Sequence, residues 1–467
     1  MTLFLRVAAA CWVLTLALPA AAGARELKVG VAAVTITPPA GGPMAGYYYT
    51  RAAEGTHDDL LAKALVLDDG VTRAAIVTCD LIDVPASIVE QARALAARRT
   101  GIPAEHIMIS ATHAHTGPSL IDGSFRTHFE GEMGRIAEQY LADLPVRIAE
   151  SIERASRAAA PAAASAALGR EPGLAFNRRY YMRDGTVHWN PGHRNPDIVR
   201  PAGPIDPDVP IVLFSHPDGR PKAVYTSYAM HLDTVGGTQY SADYADTLSR
   251  LLADARDPDL LTLFAIGCAG NVNHIDVSSS EKQSSPQEAA RIGTILAADV
   301  LKAWPGLTAV ADPVLRVATV RVALPLRDVK PGEVDWATKV AATYGRKDVA
   351  PMMDLVKAQR IVDIDAQHGR PLDAEVQVIA LGAEIAWVGL PGEIFTELGM
   401  AIKAASPFRL TIVAGLTNGG LGYIPNRKAY DEGAYEPLSA RCAPGSGERL
   451  VDAATEQLIR LHHTSRK

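Results

Sequence analysis

The chain has 467 residues, 48% of them hydrophobic and 21% charged, with a formal net charge of −6. That apolar content supports a large core and argues against global disorder. The acidic balance, the absence of a Lys/Arg-rich run and an aromatic content of only 6% argue against a nucleic-acid partner, which needs clustered cations or stacking rings. No segment of about 20–50 residues recurs, which removes solenoids and propellers.

The first 24 residues carry Arg6, an apolar run over Val7–Leu18 and a small-residue tail. Ala22-Gly23-Ala24 fits the A-x-A rule of signal-peptide cleavage, so residues 1–24 read as an export signal. The run is shorter than the roughly 20 apolar residues that span a bilayer. The expectation is a periplasmic or secreted mature chain over 25–467, one large domain without a transmembrane span. Export implies an oxidising compartment. The mature chain holds Cys79, Cys268 and Cys442, an odd number, so at least one is free or pairs between chains. No C-x-x-C spacing supports a cysteine zinc site.

The remainder alternates short apolar runs with helical stretches, the pattern of an α/β fold: a layered mixed β-sheet with flanking helices. Leu27–Ile36 and Ala62–Leu67 read as strands. Ala74–Thr78 reads as a buried strand before Asp80, and Pro85–Arg99 as a helix. His106–Ser110 is a strand leading into Thr112–Pro118, and Gly131–Ala160 is a long helix. Gly169–Pro210, rich in Pro, Gly, Asn and Arg, reads as an irregular excursion of the kind that is more often functional than idle. Ala223–Met230 leads to His231, and Leu260–Ile266 leads to Gly267–His274. Helices follow over Gln287–Ala303, Glu333–Tyr344 and Met352–Gln367. Val314–Ala323, Glu375–Leu381 and Ile385–Gly389 read as strands, the last running into Leu390-Pro391-Gly392-Glu393. Leu410–Ala414 leads to Asn418–Tyr423, and Glu448–His462 is a closing helix.

Several polar residues therefore lie just past strand ends, where ligands bind in open α/β sheets. His113-x-His115 is the sharpest local signal, because residues i and i+2 of an extended chain point to one side. Both imidazoles can reach a metal, or one can bind while the other serves as acid or hydrogen-bond donor. His231, Glu393 and Tyr423 have ordinary structural explanations taken singly; together they make a coherent N/O donor set for Zn²⁺. Asp80 is placed to orient a ligating imidazole, and Arg178 to hold an oxyanion. No G-x-S-x-G elbow supports a serine hydrolase.

Taken in order, these motifs resemble the neutral, non-lysosomal ceramidase family, specifically its zinc-dependent N-terminal catalytic domain. The resemblance runs from Val29-Gly30-Val31-Ala32 through Met44–Tyr47, Gly55-Thr56-His57, Thr112–Pro118, Asn177-Arg178, Met230-His231 and Leu390–Glu393 to Tyr435-Glu436. It implies a zinc ion held by His113, His231, Glu393 and Tyr423. His115 would be a near-site donor or proton shuttle, with Arg178 and Tyr435 on the scissile carbonyl or oxyanion. Where the family's loop reads G-D-V-S-P-N with a serine implicated in amide cleavage, this chain has Gly270-Asn271-Val272-Asn273. Asn273 thus stands at the serine's place, and an amide is not a nucleophile. The implied activity is hydrolysis of an N-acyl, lipid-like amide by metal-activated water, with His115 or His274 protonating the leaving amine. A metal-dependent esterase and a catalytically silent lipid-binding homologue are the alternatives.

Overall fold

A computed structural model describes residues 25–120, 129–344 and 349–464; the export signal expected over 1–24 lies outside them. The fold is α/β. Among the described residues its three larger sheets follow one connectivity. In the first, Lys28–Thr35, Leu61–Asp68 and Arg73–Cys79 are successively antiparallel, and Ile107–Ala111 adds parallel to Arg73–Cys79. In the second, the same roles fall to Ala163–Arg170, Asp208–Ser215, Pro221–Tyr228 and Leu261–Ile266. In the third they fall to Leu315–Leu324, Leu372–Leu381, Ile385–Gly389 and Leu410–Ala414.

Each sheet's parallel pair is joined by a crossover helix: Ala86–Thr100, Tyr244–Arg256 and Thr396–Ala405. A parallel pair needs such a crossover, because a tight turn cannot return the chain to the same end. A second helix follows each sheet (Gly131–Arg157, Pro286–Ala303 and Ser446–Thr464) and packs on that sheet's first two strands. The pattern β-β-β-α-β-α thus occurs three times. Its period far exceeds the repeat lengths sought in the sequence.

The inward faces of the three sheets share one core. Val29, Leu65, Ile76 and Met108 of the first meet Phe214, Tyr225 and Leu263 of the second and Ile379, Trp387 and Ile412 of the third. The alternate residues face outward, as the two-residue period of a strand requires. Val66 and Val77 meet Val89, Leu144 and Ile148 of the helices, and Val378 and Val388 meet Leu398 and Leu458. Helix Pro286–Ala303 shows why such helices start where they do: Ser285 accepts from the Glu288 amide and Pro286 occupies the first turn.

This topology places one end of each sheet toward the same region. The third and fourth strands finish there. So does the first, after which an excursion must return to begin the second. The excursions span 36–60, 171–207 and 325–371. The segment expected to be irregular over Gly169–Pro210 is thus the second of these, bounded by two strands that the composition concealed. Ala163–Arg170 is alanine-rich, yet it pairs along its length with Asp208–Ser215; tertiary pairing overrides its weak strand propensity. Cys79, Cys268 and Cys442 are all buried free thiols. Among the described residues no helix is long and apolar enough to cross a membrane.

Helix Gly131–Arg157 crosses the first strand at Gly30, where a Cβ would overlap the Ala155 carbonyl. Gly30→Ala should therefore force strand and helix apart. A loss of about 1–3 kcal/mol is expected, measured by chemical denaturation.

Candidate metal centre

Six strand ends converge. From the first sheet, Cys79 leads to Leu81 and Ile82, and Ala111 leads to His113 and His115. His113 sits at φ 73°, a left-handed conformation uncommon for a residue with a side chain. It is held there by its amide on the Leu81 carbonyl (2.8 Å) and its Nδ1 on the Ile82 carbonyl (2.8 Å). The His115 amide donates to Leu232 of the second sheet's loop (2.9 Å), and its Nδ1 faces the Gly46 carbonyl at 3.2 Å. His231 Nδ1 lies 2.9 Å from the Val272 carbonyl. From the third sheet, Glu393 pairs in parallel register with Tyr423. Gly270 runs against Glu393 so closely that a Cβ would overlap the Glu393 carbonyl.

All three imidazoles thus set Nδ1 against a backbone carbonyl, which assigns the proton to Nδ1 and leaves the Nε2 lone pair facing inward. His115 Nε2 and His113 Nε2 are 3.2 Å apart. Glu393 Oε2 lies 3.4 Å from His113 Nε2 and 3.3 Å from His231 Nε2. Lone pairs and a carboxylate at such distances repel unless a proton or cation lies among them. The His113, His115 and His231 donor atoms all fall within 4.8 Å of one another, so these histidines lie close enough to hold a metal ion. The chemistry of the donor set, nitrogen with one carboxylate, fits Zn²⁺.

The charges tell the same story. Burial opposes the charged form of His113, but Glu393 outweighs it and raises the pKa. Burial, then the neighbouring His113 and His231, push His115 down to about 3. Burial and Arg178 lower His231. Burial raises Glu393, yet His113 and His231 more than reverse this and hold it well below the usual range.

Arg178 closes the second side. It sits beside the short pairing of Phe176–Asn177 with Val272–Asn273, its amide on the Asn271 carbonyl at 2.9 Å. Its Nε donates to Glu436 (2.9 Å), Nη2 to the Gly270 carbonyl (2.7 Å) and to the Tyr423 hydroxyl (3.0 Å), and Nη1 to His231 Nε2 (3.2 Å). Arg179 binds the other Glu436 oxygen at 2.9 Å. Burial, reinforced by Glu393 and only partly offset by Arg178, keeps Tyr423 a neutral phenol. The Tyr435 hydroxyl meets that of Tyr48 at 3.1 Å, and its ring lies 4.9 Å from that of Trp189. His113, His115, Glu393 and Tyr423 line a cavity of about 530 Å³ whose walls include Met44, Tyr47, Leu120 and Leu421.

Among the solved structures that resemble this chain, two cover most of it. One is neutral ceramidase from Pseudomonas aeruginosa, at TM-score 0.72 and 18% identity over 94% of this chain and 75% of that one. The other is a ceramidase complexed with C2, at TM-score 0.71 and 18% identity over 94% and 76%. The chain shares the ceramidase fold. No family profile matches it, and no curated protein does.

Within this ceramidase fold, His113, His115, His231, Glu393, Tyr423, Arg178 and Tyr435 form one centre. Asn273 and His274 lie beside it with other engagements. Asn273 donates to Asn190 (3.3 Å) and accepts from the Ile275 amide (3.1 Å). His274 faces Asp233 at 3.0 Å and Ser284 at 3.4 Å, and Asp233 raises its pKa against the opposing effect of burial. Asp80 does not orient an imidazole. It accepts from the Leu61 amide (3.0 Å) and faces Lys63 (4.0 Å), and backbone carbonyls orient the histidines instead. Sequence reading missed Asp233, Glu436, Tyr48 and Trp189. Asp233 had a usable signal, since His231-x-Asp233 repeats the spacing of His113-x-His115.

Removing the carboxylate charge by Glu436→Gln would leave Arg178 and Arg179 buried with weakened compensation. A cost of about 3–5 kcal/mol is expected, read as a lower denaturation midpoint. The pH dependence follows from the signs. His113's pKa in the metal-free protein is raised above 6.5, so its proton competes with a metal. The His113–Glu393 pair contributes its full stabilisation between the usual values of 4.5 and 6.5; the contribution is lost as pH rises from 6.5 through His113's raised value, and as pH falls from 4.5 through Glu393's lowered one. Apparent zinc affinity should fall as pH drops through His113's pKa. Calorimetric titration across pH checks this, and a pH-independent affinity would contradict it.

Proposed function

We propose that the protein is an exported, zinc-dependent amidohydrolase that cleaves an N-acyl, lipid-like amide. The observation that carries this is the convergence of three inward-facing Nε2 atoms and the Glu393 carboxylate at one wall of a cavity that also has apolar sides. The likeness to ceramidases supports amide chemistry. The apolar run and small-residue tail of residues 1–24 support export.

His113, His231 and Glu393 would hold the zinc, with Tyr423 beside Glu393 and His115 adding a further nitrogen. His115 is thereby read as a lone-pair donor, one of the two roles its spacing leaves open, rather than the proton shuttle that the resemblance implies, since burial and its neighbours lower its pKa. Bound zinc supplies a water acidified to a pKa of about 7 and a charge that polarises a carbonyl. Asn273 offers no nucleophile, so water is the attacking group. Arg178, buried and permanently charged, fixes Tyr423 through its 3.0 Å contact and adds fixed positive charge behind His231, which would favour a carbonyl oxygen that becomes negative at the centre. The paired hydroxyls of Tyr48 and Tyr435 offer a further donor at the cavity wall.

The test is elemental analysis and amide hydrolysis on one preparation. About one zinc per chain is expected, with cleavage of an N-acyl amide that a chelator abolishes and zinc restores. His113→Ala and His231→Ala should lose metal and activity together. A variant that keeps zinc at unchanged stoichiometry and affinity would show the ligand assignment to be wrong, and zinc-loaded protein that cleaves an ester but no amide would move the reaction class.

A further inference from the structure

Helix Met352–Asp365, in the excursion of the third sheet, turns Gln359, Arg360 and Asp363 toward the cavity, and Arg441 lines the same wall. The helix is seated by Val356, which packs with Tyr423 and Tyr435. Glu393, Tyr48 and Tyr435 line the same cavity as Arg360, so this wall and the candidate metal centre face one space.

Its hydrogen bonding is incomplete. Arg360 sends Nη1 to Asp363 at 2.7 Å, and Arg441 sends Nη2 to the Gly420 carbonyl at 3.1 Å. Nε of both guanidinium groups is buried without a partner. Gln359 is 3% exposed and neither of its amide atoms has a partner. A buried polar group left open costs about 1–3 kcal/mol, and more when charged. Three of these four atoms are donors, and two belong to cations. The wall also holds Asp363, which Arg360 Nη1 already engages, and Asp83.

We propose that this wall binds a carboxylate on the amine side of the scissile amide, so that the substrate class is N-acyl amino acids. The inference rests on the amidohydrolase reading. A carboxylate has two oxygens and about four lone-pair sites, enough for three donors on one cavity wall. The hydroxyl of a neutral acylethanolamine or sphingoid amide brings fewer acceptor sites, a donor of its own and no charge. Hydrolysis places the water oxygen on the acyl carbon, breaks the carbon–nitrogen bond and puts both water protons on the nitrogen. The products are a fatty-acid carboxylate and a free ammonium-form amino acid.

The probes are N-lauroylglycine, N-lauroylethanolamine and N-lauroylphosphoethanolamine, with zinc-loaded protein. Lauroylglycine should show a kcat/KM at least about tenfold above either of the others. That ratio should fall toward one in Arg360→Gln and in Gln359→Glu, whose added carboxylate repels the ligand, with thermal unfolding and zinc content confirming intact variants. Should Arg360→Gln fail to fold, Gln359→Glu carries the test. Equal or better turnover of the neutral or phosphate compound overturns the proposal, as does a ratio unchanged in both variants. If no amide is cleaved, the amidohydrolase reading falls, and calorimetry on chelator-treated protein decides the carboxylate site separately. Tighter binding of lauroylglycine than of lauroylethanolamine sustains it, and equal binding overturns it.

Discussion

The structure depends on holding like against like. Three imidazole lone pairs lie within 4.8 Å of one another in a buried space, with a carboxylate 3.3–3.4 Å from two of them, an arrangement that is repulsive until a proton or a cation enters. Each imidazole is locked by a backbone carbonyl rather than by a mobile side chain: Ile82 for His113, Gly46 for His115 and Val272 for His231. Backbone carbonyls have no rotamers of their own, so the lone pairs remain aimed at the centre. That preorganisation is what a metal site needs, because the repulsion is met in folding and relieved on binding.

The threefold β-β-β-α-β-α pattern explains why so many loops are available for this purpose. In each sheet the first, third and fourth strands end on the same side, and the three sheets join their inner faces in one core. Every sheet therefore delivers two strand-end loops and one excursion to a common region. The first excursion supplies Gly46 and Tyr48, the second Arg178 and Trp189, and the third the helix that carries Gln359 and Arg360. The rest of the scaffold is ordinary close packing of alternating apolar residues.

Arg178 ties these contributions together. One side chain reaches His231 of the second sheet's loops, Tyr423 of the third's, and Glu436 beyond them. Glu436 in turn holds Arg179, which also meets Glu432 at 3.1 Å. Such a buried network adds little net stability once desolvation is counted. Its contribution is positional: Glu436 bridges the two arginines through its two oxygens, and these directional contacts hold the loops in one arrangement.

What the sequence determined by itself was whatever short-range pattern determines. Apolar runs such as Arg73–Cys79, Ile107–Ala111, Leu261–Ile266 and Leu410–Ala414 announce buried strands, because burial on both faces needs an unbroken run. His113-x-His115 announces itself as two histidines just past a strand, but the extended geometry expected there does not hold: His113 sits at φ 73°, and contacts to Leu81, Ile82 and Leu232, not strand alternation, bring both imidazoles to one side. His231, Glu393 and Tyr423 were visible only as residues past strand ends, and their grouping came from resemblance. The alanine-rich strand Ala163–Arg170 was invisible because its pairing, not its composition, makes it a strand. Gln359, Arg360 and Arg441 drew no reading of their own from the sequence beyond the helix over Met352–Gln367 that carries the first two. Whether a charged side chain meets water or an enclosed cavity depends on which distant segment folds over it, and only the tertiary structure brings those segments together.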